Sequence, residues 1–91
     1  MKDTDGVAID LSTIKSRLEL HAVLARALGF PDYYGKNWDA FNECIRDFPP
    51  SGLRITGVHK LESALPREAE LLKQCLEAFK AEMPNREVHV S

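Results

Sequence analysis

Asp39 and Glu43, two carboxylates four residues apart, carry the clearest chemical potential in this 91-residue chain. On a helix that spacing stacks them one turn apart on a single face. Such a pair can divide acid and base roles in catalysis, or it can meet cations on a partner. Cys44, next to Glu43, adds a possible nucleophile if a histidine stands within reach. Helical periodicity separates these options. Trp38, Phe41, Cys44, Ile45 and Phe48 recur at three and four residues and are expected to face a core, with Trp38 in the core or supporting the preceding loop. Asp39, Asn42, Glu43 and Arg46 fall on the opposite, exposed side. An inward thiol and outward carboxylates do not converge on one cleft, and the chain has neither a phosphate-cradling glycine loop nor a nucleophile elbow. An enzyme is therefore not expected. His21, His59 and His89 share no spacing pattern, so they are expected to be structural or exposed, and no metal or other cofactor is implied. Taken alone, two acids on a helix face most often do no more than keep a surface solvated.

Their surroundings say more. Pro31, Tyr33, Tyr34 and Gly35 make an aromatic loop immediately before the helix, and Asn37 suits the N-cap position. Asp39 then lies in the first turn, where a carboxylate also complements the helix dipole. Between residues 32 and 47, Asp32, Asp39, Glu43 and Asp47 outweigh Lys36 and Arg46 by two charges, an excess equal to the net charge of −2 of the whole chain. An aromatic loop feeding an acidic helix face suits a basic partner. The Lys and Arg residues form no basic stripe, so direct nucleic-acid binding is not expected.

The elements that hold this segment follow from local signals. Val7, Ile9 and Leu11 alternate with polar or small residues, as in a short half-buried strand. Ser16 and Glu19 fit a capping box in which the serine hydroxyl accepts from the Glu19 amide and Glu19 reaches back to the cap. The helix that follows carries Leu20, Val23, Leu24, Ala27 and Leu28 as its apolar stripe, with Gly29 as a left-handed C′ residue and Pro31 as the stop. The second helix runs from Asn37 to about Asp47, ended by Pro49, Pro50, Ser51 and Gly52. Leu53, Ile55 and Val58 suggest a second strand, and His59 to Leu65 a brief helix. Pro66 suits the N1 position of a longer helix with the stripe Ala69, Leu72, Cys75, Leu76, Phe79 and Met83. Pro84 and Asn85 end it, and Glu87 to Val90 form a last strand.

The order is βααβααβ, an α/β arrangement whose long crossovers suit parallel strands. Because all three strands alternate rather than being apolar on both sides, the helices are expected mostly on one face of the sheet. Residues 1–91 are expected to form a single domain. Apolar content is 44%, no apolar run approaches the ~20 residues that span a bilayer, and the N-terminus lacks the apolar core of a secretory signal, which together point to a cytoplasmic protein with no membrane partner. Cys44 and Cys75 lie on apolar helix faces and are expected to be buried, reduced thiols.

Residues 31–45, PDYYGKNWDAFNECI, closely resemble the central motif of the barstar family, inhibitors of barnase-type ribonucleases. The similarity extends back without gaps through Val7–Asp10, Ser16, Leu20 and His21, and continues more loosely through the second strand and the last long helix, covering nearly the whole chain. The resemblance implies a barstar-like fold, a small three-stranded parallel sheet packed with about four helices. It implies a stoichiometric, immunity-type inhibitor in a bacterial cytoplasm, monomeric when free. Its partner would be a secreted barnase-like ribonuclease, or a ribonuclease toxin domain, whose basic active site is blocked by the acidic loop and helix. The alternative is a barstar-like interaction module for a partner that is not a ribonuclease. By the resemblance, Glu43 takes the place of the family's central aspartate plug, Asp39 that of a second interface acid, and Tyr33 that of a tyrosine packed against the enzyme's catalytic histidine. Gly35 and Asn37 match positions whose backbone lies at the interface, and Tyr34 is assigned mainly to loop packing. Two departures stand out. Asn42, still counted among the partner-binding positions, replaces an exposed tryptophan. Ala81 replaces a contact glutamate, and the adjacent Glu82 is turned from it by about 100°.

Overall fold

The computed structural model describes residues 6–91; residues 1–5, on which the reading of the N-terminus falls, lie outside the described residues. The elements are β1 (Gly6–Asp10), α1 (Arg17–Leu28), α2 (Trp38–Asp47), β2 (Gly52–Thr56), α3 (Val58–Ala64), α4 (Pro66–Glu82) and β3 (Glu87–Val90), the expected βααβααβ order. The three strands are parallel and lie in the order β1-β2-β3.

Strand register shows how the alternation is used. Val7, Leu53 and Val88 align across the sheet, as do Ile9, Ile55 and Val90 on the same face. Ile9, Leu53 and Ile55 are buried, whereas Ala8, Arg54 and His89, aligned on the other face, are exposed. The helices therefore cover one side of the sheet, which accounts for parallel strands that read as half-polar. Leu20, Leu24 and Phe41 pack with Leu72, Leu76 and Phe79 in the core beneath that face. Each fully buried side chain of this kind contributes roughly 1.5–3 kcal/mol.

Helix ends follow the local chemistry, with instructive shifts. Ser16 Oγ accepts from the Glu19 amide at 3.1 Å, but Glu19 Oε1 accepts from the Lys15 amide at 3.0 Å rather than from that of Ser16. The second half of the capping box is thus displaced by one residue, to another amide outside the helix. Gly29 closes α1 in the left-handed conformation, φ 72°, with its N–H on the Ala25 carbonyl. Val58 is not in the second strand. Gly57 has φ 77°, and a Cβ there would fall 2.5 Å from the Ser12 nitrogen, so the chain turns at this glycine and Val58 begins α3, still buried. Phe48 does not face the core as expected; it is 43% exposed. It is the C-cap of α2, with φ −129° and ψ 62°, so the helical period no longer directs its side chain. An ion pair between Lys73 and Glu62 joins α4 to α3. Cys44 and Cys75 are buried and unbridged, and no described helix is long and apolar enough to cross a membrane.

Candidate functional site

Asn37 joins the aromatic loop to α2. Its Oδ1 accepts from the Ala40 amide at 2.7 Å, capping the helix, while its Nδ2 donates to the Gly35 carbonyl at 3.3 Å. The side chain is therefore occupied within the protein, as is the backbone carbonyl, which accepts from the Phe41 amide at 2.9 Å. A Pro31 carbonyl accepting from the Tyr34 amide at 3.0 Å tightens the start of the loop. The left-handed residue of this loop is Lys36, φ 56°, and not Gly35. A non-glycine residue there carries ~1–2 kcal/mol of strain. Gly35 is used for space instead: a Cβ would sit 3.3 Å from Asn37 Nδ2 and 3.5 Å from the Ala40 methyl.

Behind the loop lies a buried polar and aromatic cluster. Tyr34, 7% exposed, places its hydroxyl 2.6 Å from Nδ1 of His21, which is fully buried on α1. The His21 ring lies 4.5 Å from that of Trp38, centroid to centroid, and the half-buried Trp38 donates from Nε1 to Glu68 Oε1 at 2.9 Å. Phe30 packs on both Tyr34 and Phe41. Burial pushes the Tyr34 hydroxyl well above its ordinary range, helped by the nearby Cys44 and Cys75. Burial also holds the His21 imidazole below its ordinary value, as does the charge of Arg17. Both groups are thus held neutral and share one hydrogen bond. His21 Nε2 has no hydrogen-bond partner among the described residues.

In front of the cluster the surface is polar. Tyr33 is 78% exposed. Asp39 and Glu43 are exposed one turn apart on α2, and neither makes a hydrogen bond or ion pair among the described residues. Arg46, the only Lys or Arg on α2, is turned across to α4: its Nη1 lies 3.4 Å from Glu82 Oε2 and its Nε donates to the Asn42 carbonyl at 3.1 Å. The helix thus presents Asp39, Glu43 and, one turn further on, Asp47 with no cation at contact distance among the described residues. Asn42 departs from the expected exposed position. It is half-buried, lining a shallow groove between α2 and α4 with Ile45, Arg46, Ala78, Phe79 and Glu82. Packing against α4 captures this part of the polar face.

Tyr33, Gly35, Asn37, Asp39 and Glu43 are therefore exposed along one continuous loop and helix, while Asn42 sits at its edge, toward α4. Of the support behind this surface, Tyr34 and Trp38 stand where the sequence placed them, in loop packing and loop support. His21 was legible as a stripe residue, since it lies three and seven positions before Leu24 and Leu28. Nothing local pointed to Glu68 as the partner of Trp38 or to Glu82 as the partner of Arg46. Cys44 is buried, and burial, with Asp47 and Glu43 nearby, pushes its thiol up, opposite to the shift that activates a nucleophile.

A family model described as Barstar (barnase inhibitor) matches residues 5–91, nearly the whole chain. No curated protein matches it. The chain belongs to the barstar family.

Proposed function

With membership of the barstar family as the premise, we propose that this chain is a stoichiometric inhibitor of a barnase-like microbial ribonuclease, acting in the cytoplasm of the cell that makes the enzyme. The observation that carries the reading is the pair of exposed, unpaired carboxylates, Asp39 and Glu43, on a helix mounted over a buried cluster. A ribonuclease must hold a polyanion, so its cleft is lined with cations. Carboxylates fixed on a helix can occupy phosphate positions there without offering a bond to cleave. Opposite fields also speed the encounter.

Each residue then has a distinct task. Glu43 enters the cleft as the plug; relative to an aspartate it reaches up to ~1.5 Å further, one C–C bond, and loses more side-chain entropy on docking. Asp39 supplies a second anionic contact from the preceding turn. Tyr33 lays its ring against the enzyme beside the catalytic residues, and the backbone of Gly35 and Asn37 lines the same surface. Asn42 forms the edge toward α4.

The test is titration of barnase-type ribonucleases with the protein while RNA cleavage is followed. Cleavage should end at one equivalent, and association should slow as salt rises. Glu43→Ala should weaken binding by about 2–5 kcal/mol, the range for truncating one member of a buried charge pair, which barnase–barstar itself helped to define. Full cleavage at excess protein across such enzymes sinks the reading, and unchanged affinity in Glu43→Ala removes Glu43 as the plug.

A further inference from the structure

Arg46 does not fit a purely acidic docking ridge. It lies three residues after Glu43 and seven after Asp39, within the same two turns of α2. Its side chain is 48% exposed; its Nε donates to the Asn42 carbonyl and its Nη1 meets Glu82. Those two contacts use two of its five N–H donors and leave three. Beside it is the groove between α2 and α4, lined by the buried side chains of Ile45 and Phe79 and by the small Ala78.

We infer that Arg46 is a specificity-determining residue: the accepted ribonuclease must carry a carboxylate beside its basic cleft, seated at the mouth of the α2–α4 groove. The inference rests on the inhibitor reading and adds a requirement to it. A partner that covers Asp39 and Glu43 must come close to Arg46, because all three lie on one continuous stretch of helix. A cleft that is basic throughout would place like charge against the guanidinium, a strongly penalised arrangement. A neutral cover fails differently, by stripping water from the remaining donors without replacing it. Glu82 does not remove the need for an acceptor. Its contact is 3.4 Å long and half exposed on both sides, the kind of surface pair that adds little. A carboxylate from the partner satisfies the free donors and is favoured by the fork geometry of the guanidinium. The groove gives that side chain room.

The experiment uses the enzyme that wild-type protein binds most tightly among a panel of barnase-type ribonucleases. Affinity and rate constants are measured for Arg46→Ala, Arg46→Met, Arg46→Lys and Arg46→Glu, with Glu43→Ala alongside and thermal melts of each. Simple electrostatics says that removing a cation from an acidic inhibitor tightens its grip on a basic enzyme. The inference requires the opposite sign. Arg46→Ala and Arg46→Met should each bind at least about tenfold more weakly, mostly through faster dissociation. Arg46→Lys should recover part of the loss, and Arg46→Glu should be weakest. Exchanging one carboxylate of the enzyme for lysine should restore binding to Arg46→Glu. Equal or tighter binding by Arg46→Ala and Arg46→Met, with a loss in Glu43→Ala, overturns this inference and keeps the inhibitor reading. No binding of wild type to any enzyme of the panel removes both.

Discussion

Tyr33 and Tyr34 are neighbours of identical chemistry that belong to different halves of the molecule. Tyr34 is 7% exposed and bonded to His21; Tyr33 is 78% exposed and makes no hydrogen bond among the described residues. The same division continues through α2. Trp38 and Phe41 point toward the cluster with His21 and Phe30, whereas Asp39 and Glu43 point away from it. The buried half must satisfy its polar groups, because an unpaired one in low dielectric is costly. The exposed half is under the opposite pressure: its carboxylates are useful to a partner only if nothing in the protein already holds them. Rigidity behind and unpaired charge in front together lower the ordering cost of binding.

That division can be broken most directly by removing each tyrosine. Tyr34→Ala should lower unfolding stability by about 3–5 kcal/mol, as expected for a buried aromatic. Tyr33→Ala should stay within about 0.5 kcal/mol of wild type in the same urea titrations. Comparable losses from both substitutions would show that the loop is a single structural unit. Tyr34→Phe is a finer probe, keeping the ring and deleting the hydroxyl that serves His21. It should cost about 1–3 kcal/mol, the price of one buried group left without its partner.

Protons test the same cluster. The ordinary value for an imidazole is 6.5, and burial holds His21 below it in the folded protein. The unfolded chain therefore takes up a proton as pH falls through about 6.5, while the folded protein resists it. The stability that His21 contributes is complete above that pH and is lost as pH drops through the lower, folded value. Melting temperature should fall from about pH 7.5 to about pH 5, and the fall should be shallower in His21→Gln. Equal slopes for the two proteins would take His21 out of the pH response. The smallest expected effect is a gain. Lys36→Gly relieves a left-handed lysine and should raise stability by up to about 1 kcal/mol, read from the shift in denaturation midpoint. A loss there would mean that the lysine side chain contributes more than its backbone costs.

Much of this protein was legible because the signals act within a turn. Ser16, Gly29 and Asn37 mark helix ends through contacts with amides and carbonyls a few residues away, Pro66 does so through its fixed φ and missing N–H, and all four stand where their types predict. The exposed positions of Asp39 and Glu43 follow from helical period alone, as does the burial of Phe41, Cys44 and Ile45. The one-sided sheet was a consequence of alternation in all three strands. Limits appear where a local rule meets its boundary. Phe48 was read one residue past the last position at which the helical period holds, and Val58 was read through Gly57, which turns the chain.

By itself the sequence determined the elements, their order and the surface placement of the two carboxylates, because spacing along a helix fixes which side chains share a face. The tertiary structure alone decided what stands behind and beside them. Trp38 finds Glu68 thirty residues away, and Arg46 finds Glu82 thirty-six away. Those pairings depend on how α2 packs against α4, a choice made by the whole core and carried by no local pattern. That packing draws Asn42 toward α4 and holds the one cation of α2 against Glu82, leaving Asp39 and Glu43 unpaired at the surface.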